Sequence, residues 1–201
     1  MACRRSAVRF RLGPPSRERT HAMSTRGAYG IKIDGCYKIS YNHFDSYPAG
    51  LGVAIVEQWR RLIDEIGTEI ASAARAVRLY PKDAIASDRA AAAARALLNS
   101  QLANEPTGSF QHDAAREALH RPTLRVSLRD LVRDIDDKMI FAFQAGAMTD
   151  GFDFMRDGLM CEWAYVIDID TSALEIYRGF CRDPHLQGPF AKLQPLEPTG
   201  L

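Results

Sequence analysis

The sequence predicts an α+β fold: an antiparallel sheet of about four strands, built from N- and C-terminal hairpins and covered by helices from the middle of the chain. Three observations predict it. Residues 27–43 alternate apolar and polar side chains about a central Asp34-Gly35, and residues 161–180 do the same about Asp170-Thr171-Ser172. Between these stretches, apolar residues recur every three or four positions among Ala-rich tracts. A period of two marks a strand with one buried face, and a period near 3.6 marks an amphipathic helix. An isolated hairpin is marginal in water, so both hairpins are best satisfied by one layered core.

The first strand, 27–33, sets Tyr29, Ile31 and Ile33 against Ala28, Gly30 and Lys32. The second, 37–43, sets Tyr37, Ile39, Tyr41 and His43 against Lys38, Ser40 and Asn42. Asp34-Gly35 supplies the positive φ of a tight hairpin turn. Pro48, Gly50 and Gly52 then break the strand and launch a helix. Its stripe is Leu51, Ile55, Trp59, Leu62 and Ile66, and Gly67 is placed to end it. Residues 68–79 and 84–99 are Ala-rich and read as helical. Pro106, Thr107 and Gly108 mark a loop over 104–112, followed by a short helix at 113–120. After Pro122, Ser127 is placed to cap a helix with Asp130 in its first turn. Its stripe is Leu128, Leu131, Val132, Ile135, Met139 and Phe143, and Gly146 and Gly151 bracket its end. In the last hairpin Cys161, Trp163, Tyr165, Ile167 and Ile169 share a face, and residues 174–180 return antiparallel. The domain so defined runs from 23 to 183, and the Pro-rich residues 184–201 read as a loosely packed tail.

Residues 1–22 read differently. They hold six arginines (Arg4, Arg5, Arg9, Arg11, Arg17 and Arg19) and one acid, Glu18, with no apolar core of a secretory signal. Such a stretch fits a transit peptide. It also fits the translated end of a transfer-RNA gene ahead of a true start at Met23. Val8-Arg9-Phe10 can be encoded by the T-loop sequence GTTCGATTC, and Gly13-Pro14-Pro15 can end in CCA. On that reading 1–22 is a non-native leader. Without it the net charge of +1 turns mildly acidic, so nucleic acid is an unlikely partner, because phosphate binding needs concentrated Lys and Arg. The 201 residues, 46% hydrophobic and 25% charged, suit one globular domain and exclude a collagen-like or disordered chain. No apolar run reaches the ~18 residues of a membrane-spanning helix, so no membrane association is expected. With Cys3 set aside as part of the leader, the remaining Cys36, Cys161 and Cys181 are odd in number and lack C-x-x-C spacing. They read as buried, reduced cysteines of a cytoplasmic protein, with no disulfide framework and no metal or cofactor.

The richest candidate site is residues 41–52. Tyr41 and His43 share a strand face, Asn42 lies between them, and Asp45, Ser46 and Tyr47 follow. His43 can act as a base oriented by Asp45. Gly50 and Gly52 can let backbone N–H groups approach an anion at a helix N-terminus. The same residues have a structural account, in which Asp45 or Ser46 caps the helix, Pro48 sets the turn and the tyrosines pack. Ser24 becomes the N-terminal residue if Met23 is removed, which suits an N-terminal nucleophile; Thr25 and Arg26 beside it can form a polar cluster at the sheet end. Cys161 can serve as a nucleophile if the hairpins bring it to His43, or be a buried strand cysteine. Asp134, Asp136 and Asp137 read as a solvated face, and His112, His120 and His185 show no ligand spacing.

Three stretches together, Ser24–Gly30 (STRGAYG), Tyr41–Gly52 (YNHFDSYPAGLG) and Cys161–Asp168 with Leu174–Phe180 (CEWAYVID, LEIYRGF), resemble a family of small bacteriophage and prophage proteins. The resemblance covers both hairpins, from residue 24 to about 180, and leaves out the Ala-rich 68–120. Family members begin at the residue matching Met23, and prophages often integrate beside transfer-RNA genes. The resemblance implies phage or prophage origin and carries no activity, cofactor or site residue. Two functions are therefore expected to compete. One is an accessory protein that binds a protein partner through sheet or loop surface. The other is a small hydrolase or transferase using His43 and Asp45, with Ser24 or Cys161.

Overall fold

A computed structural model describes residues 25–120, 126–157, 160–179 and the backbone of 191–192. The leader at 1–22, Ser24, Phe180, Cys181 and His185 lie outside the described residues.

Strands β1 (Gly27–Ile33) and β2 (Cys36–Asn42) form the first hairpin, and β5 (Trp163–Asp168) and β6 (Ala173–Arg178) the last. Asp34 and Gly35 both adopt positive φ, 51° and 71°, as a right-twisting two-residue turn requires. At the other turn Asp168 Oδ1 accepts the amides of Asp170 (3.1 Å) and Thr171 (3.2 Å), pinning the chain reversal. The sheet order is β2-β1-β5-β6, with a short β7 (Ala191–Lys192) beyond β6. Part of the expected loose tail is thus a paired strand.

The two hairpins lie side by side, as the α+β reading requires, but the sheet is mixed rather than antiparallel. β1 and β5 run parallel, with Tyr29 opposite Tyr165 and Ile31 opposite Ile167. Both are the first strands of their hairpins, and the intervening helices carry the chain back to the same end, as a parallel pairing demands. Side-chain periodicity holds no record of that polarity.

Tyr29, Ile31, Ile33, Tyr165 and Ile167 face the helices and form the main core with Ile55, Trp59 and Leu62 of α1 (Val53–Ile66). The helical middle continues with α2 (Ile70–Ala76), α3 (Asp88–Asn104) and α4 (Phe110–His120). Ala90, Ala94, Leu97 and Leu98 of α3 are buried in the same core. The opposite sheet face carries a smaller cluster of Ala28, Ile39, Ala164 and Val166, closed by Met155 of α7 (Phe152–Arg156). β1 is interior and therefore buried on both faces, which explains its small Ala28 and Gly30.

Register corrects two face assignments. Pairing Ile31 with Lys38 and Gly30 with Ile39 turns β2's polar residues toward the helices. Lys38 Nζ there donates to the carbonyls of Ala74 (2.8 Å), Arg75 (2.9 Å) and Val77 (2.6 Å), capping the end of α2. Cys161 precedes β5 and joins the small cluster, away from the face of Tyr165 and Ile167.

Three helical expectations are also revised. The tract 68–79 leaves the helix at Val77, and β3 (Arg78–Tyr80) pairs in parallel with β4 (Ala147–Thr149). The helix expected at 113–120 begins at Phe110. The long helix after Ser127 is two, α5 (Leu128–Val132) and α6 (Lys138–Ala145). Buried Gln58 holds the break open, donating Nε2 to the Asp136 carbonyl (3.1 Å) and accepting the Met139 amide at Oε1 (2.8 Å). Ser127 does cap α5, accepting the Asp130 amide at 3.1 Å. No described helix is long and apolar enough to cross a membrane.

Candidate functional site

The end of β2 is fixed by a small buried network. Asn42 Nδ2 donates to the Phe44 carbonyl and to Ser46 Oγ (2.9 Å), and the Ser46 amide donates to the Thr25 carbonyl (3.2 Å). Tyr165 Oη donates to the Ser46 carbonyl at 3.0 Å. The loop is thereby tied to both hairpins, and it directs the side chains just before it, Tyr41 and His43, into a cavity of about 460 Å³. That volume is in the range of small-ligand sites.

Tyr41 Oη lies 2.7 Å from His43 Nδ1. The Tyr41 ring stacks edge-on against Phe154 (4.6 Å between centroids), and His43 against Phe44 (4.1 Å). The other walls come from Lys82, from Arg129, Asp130, Val132 and Arg133 in and just after α5, from Lys138 at the start of α6, and from Thr149–Gly151 and Asp153 around α7. Arg129 and Arg133 are four residues apart, so they share a side of the helical turn. Gly151 is needed for closeness: its amide donates to the Ile39 carbonyl (2.8 Å), and a Cβ there would lie 2.7 Å from the Tyr41 nitrogen.

Electrostatics favour a neutral His43. Partial burial, then the guanidiniums of Arg26, Arg129 and Arg133, hold its pKa below the ordinary histidine value. Burial pushes the Tyr41 phenol up against the opposing pull of Arg26 and Arg129. The Tyr41–His43 hydrogen bond is compatible with either tautomer of the neutral imidazole, because the phenol can donate to Nδ1 or accept from it. Lys138 donates to the Ile135 carbonyl at 2.6 Å, and burial lowers its pKa.

Of the residues singled out from sequence, Tyr41 and His43 line this cavity, and Arg26 acts on it electrostatically. Asp45 does not orient His43: it is exposed, adopts φ 51° and contributes its carbonyl to the Leu51 amide (2.9 Å). Neither Asp45 nor Ser46 caps α1 with its side chain; the helix is entered through a π-type turn, Pro48–Gly52, with exposed Tyr47 preceding it. Gly50 and Gly52 are required by close packing, and neither lines the Tyr41–His43 cavity. Added Cβ atoms would lie 2.4 Å from the Asp45 carbonyl and 2.9 Å from the Tyr165 ring, and the Gly50 amide is already bonded to the Tyr47 carbonyl (3.0 Å).

Cys161 is fully buried, donates to the Trp163 carbonyl (3.4 Å) and has its thiol pushed up to about 12, chiefly by burial. It lines no part of the His43 cavity. Cys36, expected to be buried, is exposed at the hairpin turn. Asp134, Asp136 and Asp137 lie at the break between α5 and α6; Asp137 pairs with Arg61 (2.9 Å) and Asp134 with Arg133 (3.4 Å). Among the described residues no group of three or more His, Cys, Asp or Glu is placed to hold a metal.

Sequence reasoning missed Lys82, Arg129, Arg133, Phe154 and Gly151. The i, i+4 arginines before an Asp-rich stretch were a readable signal for a charged helix side, but their meeting with β2 is long-range. No protein-family model matches the chain, and no curated protein or solved structure matches it significantly.

Proposed function

We propose that this chain is an accessory protein of phage or prophage origin that acts by binding a protein partner, with the Tyr41–His43 cavity as its recognition site. One observation carries the reading. The groups that converge on the cavity are suited to recognition by charge and hydrogen bonding: guanidiniums, ammoniums, the carboxylates of Asp130, Asp150 and Asp153, a hydroxyl paired with an imidazole, and the Phe154 ring. Resemblance of both hairpins to small phage and prophage proteins supports the origin.

The competing hydrolase or transferase reading retains one supporting observation, a neutral imidazole paired with a tyrosine at 2.7 Å. It lacks the Asp45 contact, and Cys161 is buried with its thiol protonated. A photo-crosslinking residue at position 154 on the cavity wall, compared with one at exposed Glu117 on α4, tests the binding reading in host lysate. The expected result is a discrete adduct from position 154 that disappears with Arg129→Glu/Arg133→Glu. Equal adducts from both positions, indifferent to those charges, would remove the cavity from the binding surface.

A further inference from the structure

We infer that the cavity recognises a carboxylate presented on a peptide, so that the partner docks through an acidic segment. The inference rests on the binding reading above and names the chemistry of its ligand.

Size gives the first argument. About 460 Å³ is far more than one small anion fills, and it suits a side chain together with its neighbouring backbone. The pattern of charge gives the second. Lys82, Arg129, Arg133 and Lys138 line the cavity, and Arg26 adds its field at His43. Neither Lys82 nor Arg129 has an ion-pair partner among the described residues. Guanidiniums present paired N–H donors that match a carboxylate. The same lining also holds Asp130, Asp150 and Asp153.

A phosphate offers several acceptor oxygens and nearly two negative charges, so it meets repulsion from those three carboxylates. An acidic peptide offers what both sets of groups need: a single negative charge for the arginines, and backbone N–H donors for the aspartates. His43, hydrogen-bonded to Tyr41 in the cavity wall, adds a polar ring contact. Phe154 and Val132 supply apolar contact for the side-chain stem.

The test is a titration of the full chain followed by NMR at His43 and at the Phe154 amide. The probes are a capped glycine pentapeptide with one central glutamate, its counterpart with a central glutamine, glutarate and inorganic phosphate. The glutamate peptide is expected to shift both signals saturably. The glutamine peptide is expected to leave them unmoved, and Arg129→Gln/Arg133→Gln to weaken binding at least tenfold. Lys82→Gln, a single exposed change, is expected to weaken it several-fold and serves if the double variant fails to fold. Tighter binding of phosphate, or glutamate binding indifferent to these variants, overturns the inference. Glutarate binding as tightly as the peptide keeps the carboxylate chemistry but overturns the peptide and, with it, the protein-partner reading.

Discussion

At the scale of single residues, the second face of the sheet shows how a buried charge is kept. Lys32 Nζ lies 2.6 Å from Asp168 Oδ2 and 3.6 Å from Glu175 Oε1, and the two carboxylates are almost wholly buried. Burial pushes the Asp168 carboxyl up, but the Lys32 ammonium and the Thr171 amide win and hold it below its usual value. The same partner raises the Lys32 pKa, against burial. A depressed acid contributes stability above its unfolded pKa, and that stability is lost as pH falls through its folded pKa. Lys32→Met should therefore destabilise by about 2–4 kcal/mol at neutral pH, because it strands a buried carboxylate. Chemical denaturation at pH 7 and again near pH 2 checks this, with a smaller difference expected in acid. The alternation of β1 marked Lys32 as polar, but no local pattern announced that its partner would come from the other hairpin.

At the scale of elements, the hairpins and α1 were readable because their signals are local. Asp34-Gly35 specifies its own turn, and the Leu51–Leu62 stripe specifies its own face. What escaped was set by contacts between distant segments. Lys38 ends α2 from across the sheet, and Gln58 breaks the helix after Ser127 from within α1. β3 exists only through β4, some 70 residues on. The cavity belongs to this class, because it needs α5 and the Thr149–Gly151 segment to meet β2. Gly151 is the hinge of that meeting. A Cβ there would press on the Tyr41 nitrogen (2.7 Å) and the Ser40 carbonyl carbon (2.9 Å), both rigid backbone. Gly151→Ala should cost about 1–3 kcal/mol and displace the Tyr41 amide signal, measured by thermal melting and amide NMR. Unchanged melting and spectra would show that the wall is not packed as described.

At the scale of the whole molecule, the parallel pairing of β1 with β5 joins the two ends of the folded chain in one sheet, and one main core lies between that sheet and the helices. Neither hairpin has a core of its own, so both should unfold together. The chain's two tryptophans report on the two halves: Trp59 sits in α1 and Trp163 begins β5. Single-tryptophan variants, each with the other replaced by Phe, should give fluorescence and far-UV transitions with coincident midpoints. Separated transitions would mean two independent units, against the single α+β unit read from the sequence.

The site sets His43 in a partly buried wall shared with Arg129 and Arg133, and the titration of its ring tests that most directly. A histidine with a lowered folded pKa makes no difference to stability above its unfolded value, and it destabilises the fold as pH drops from there toward the folded pKa. The direct readout is the NMR titration of the His43 ring, in the wild type and in Arg129→Gln/Arg133→Gln. The midpoint should lie below the ordinary ~6.5 in the wild type and rise toward it when the two arginines are neutralised. A wild-type midpoint at or above ~6.5, unmoved by the double substitution, would contradict the placing of His43 beside these arginines and the recognition chemistry drawn from it.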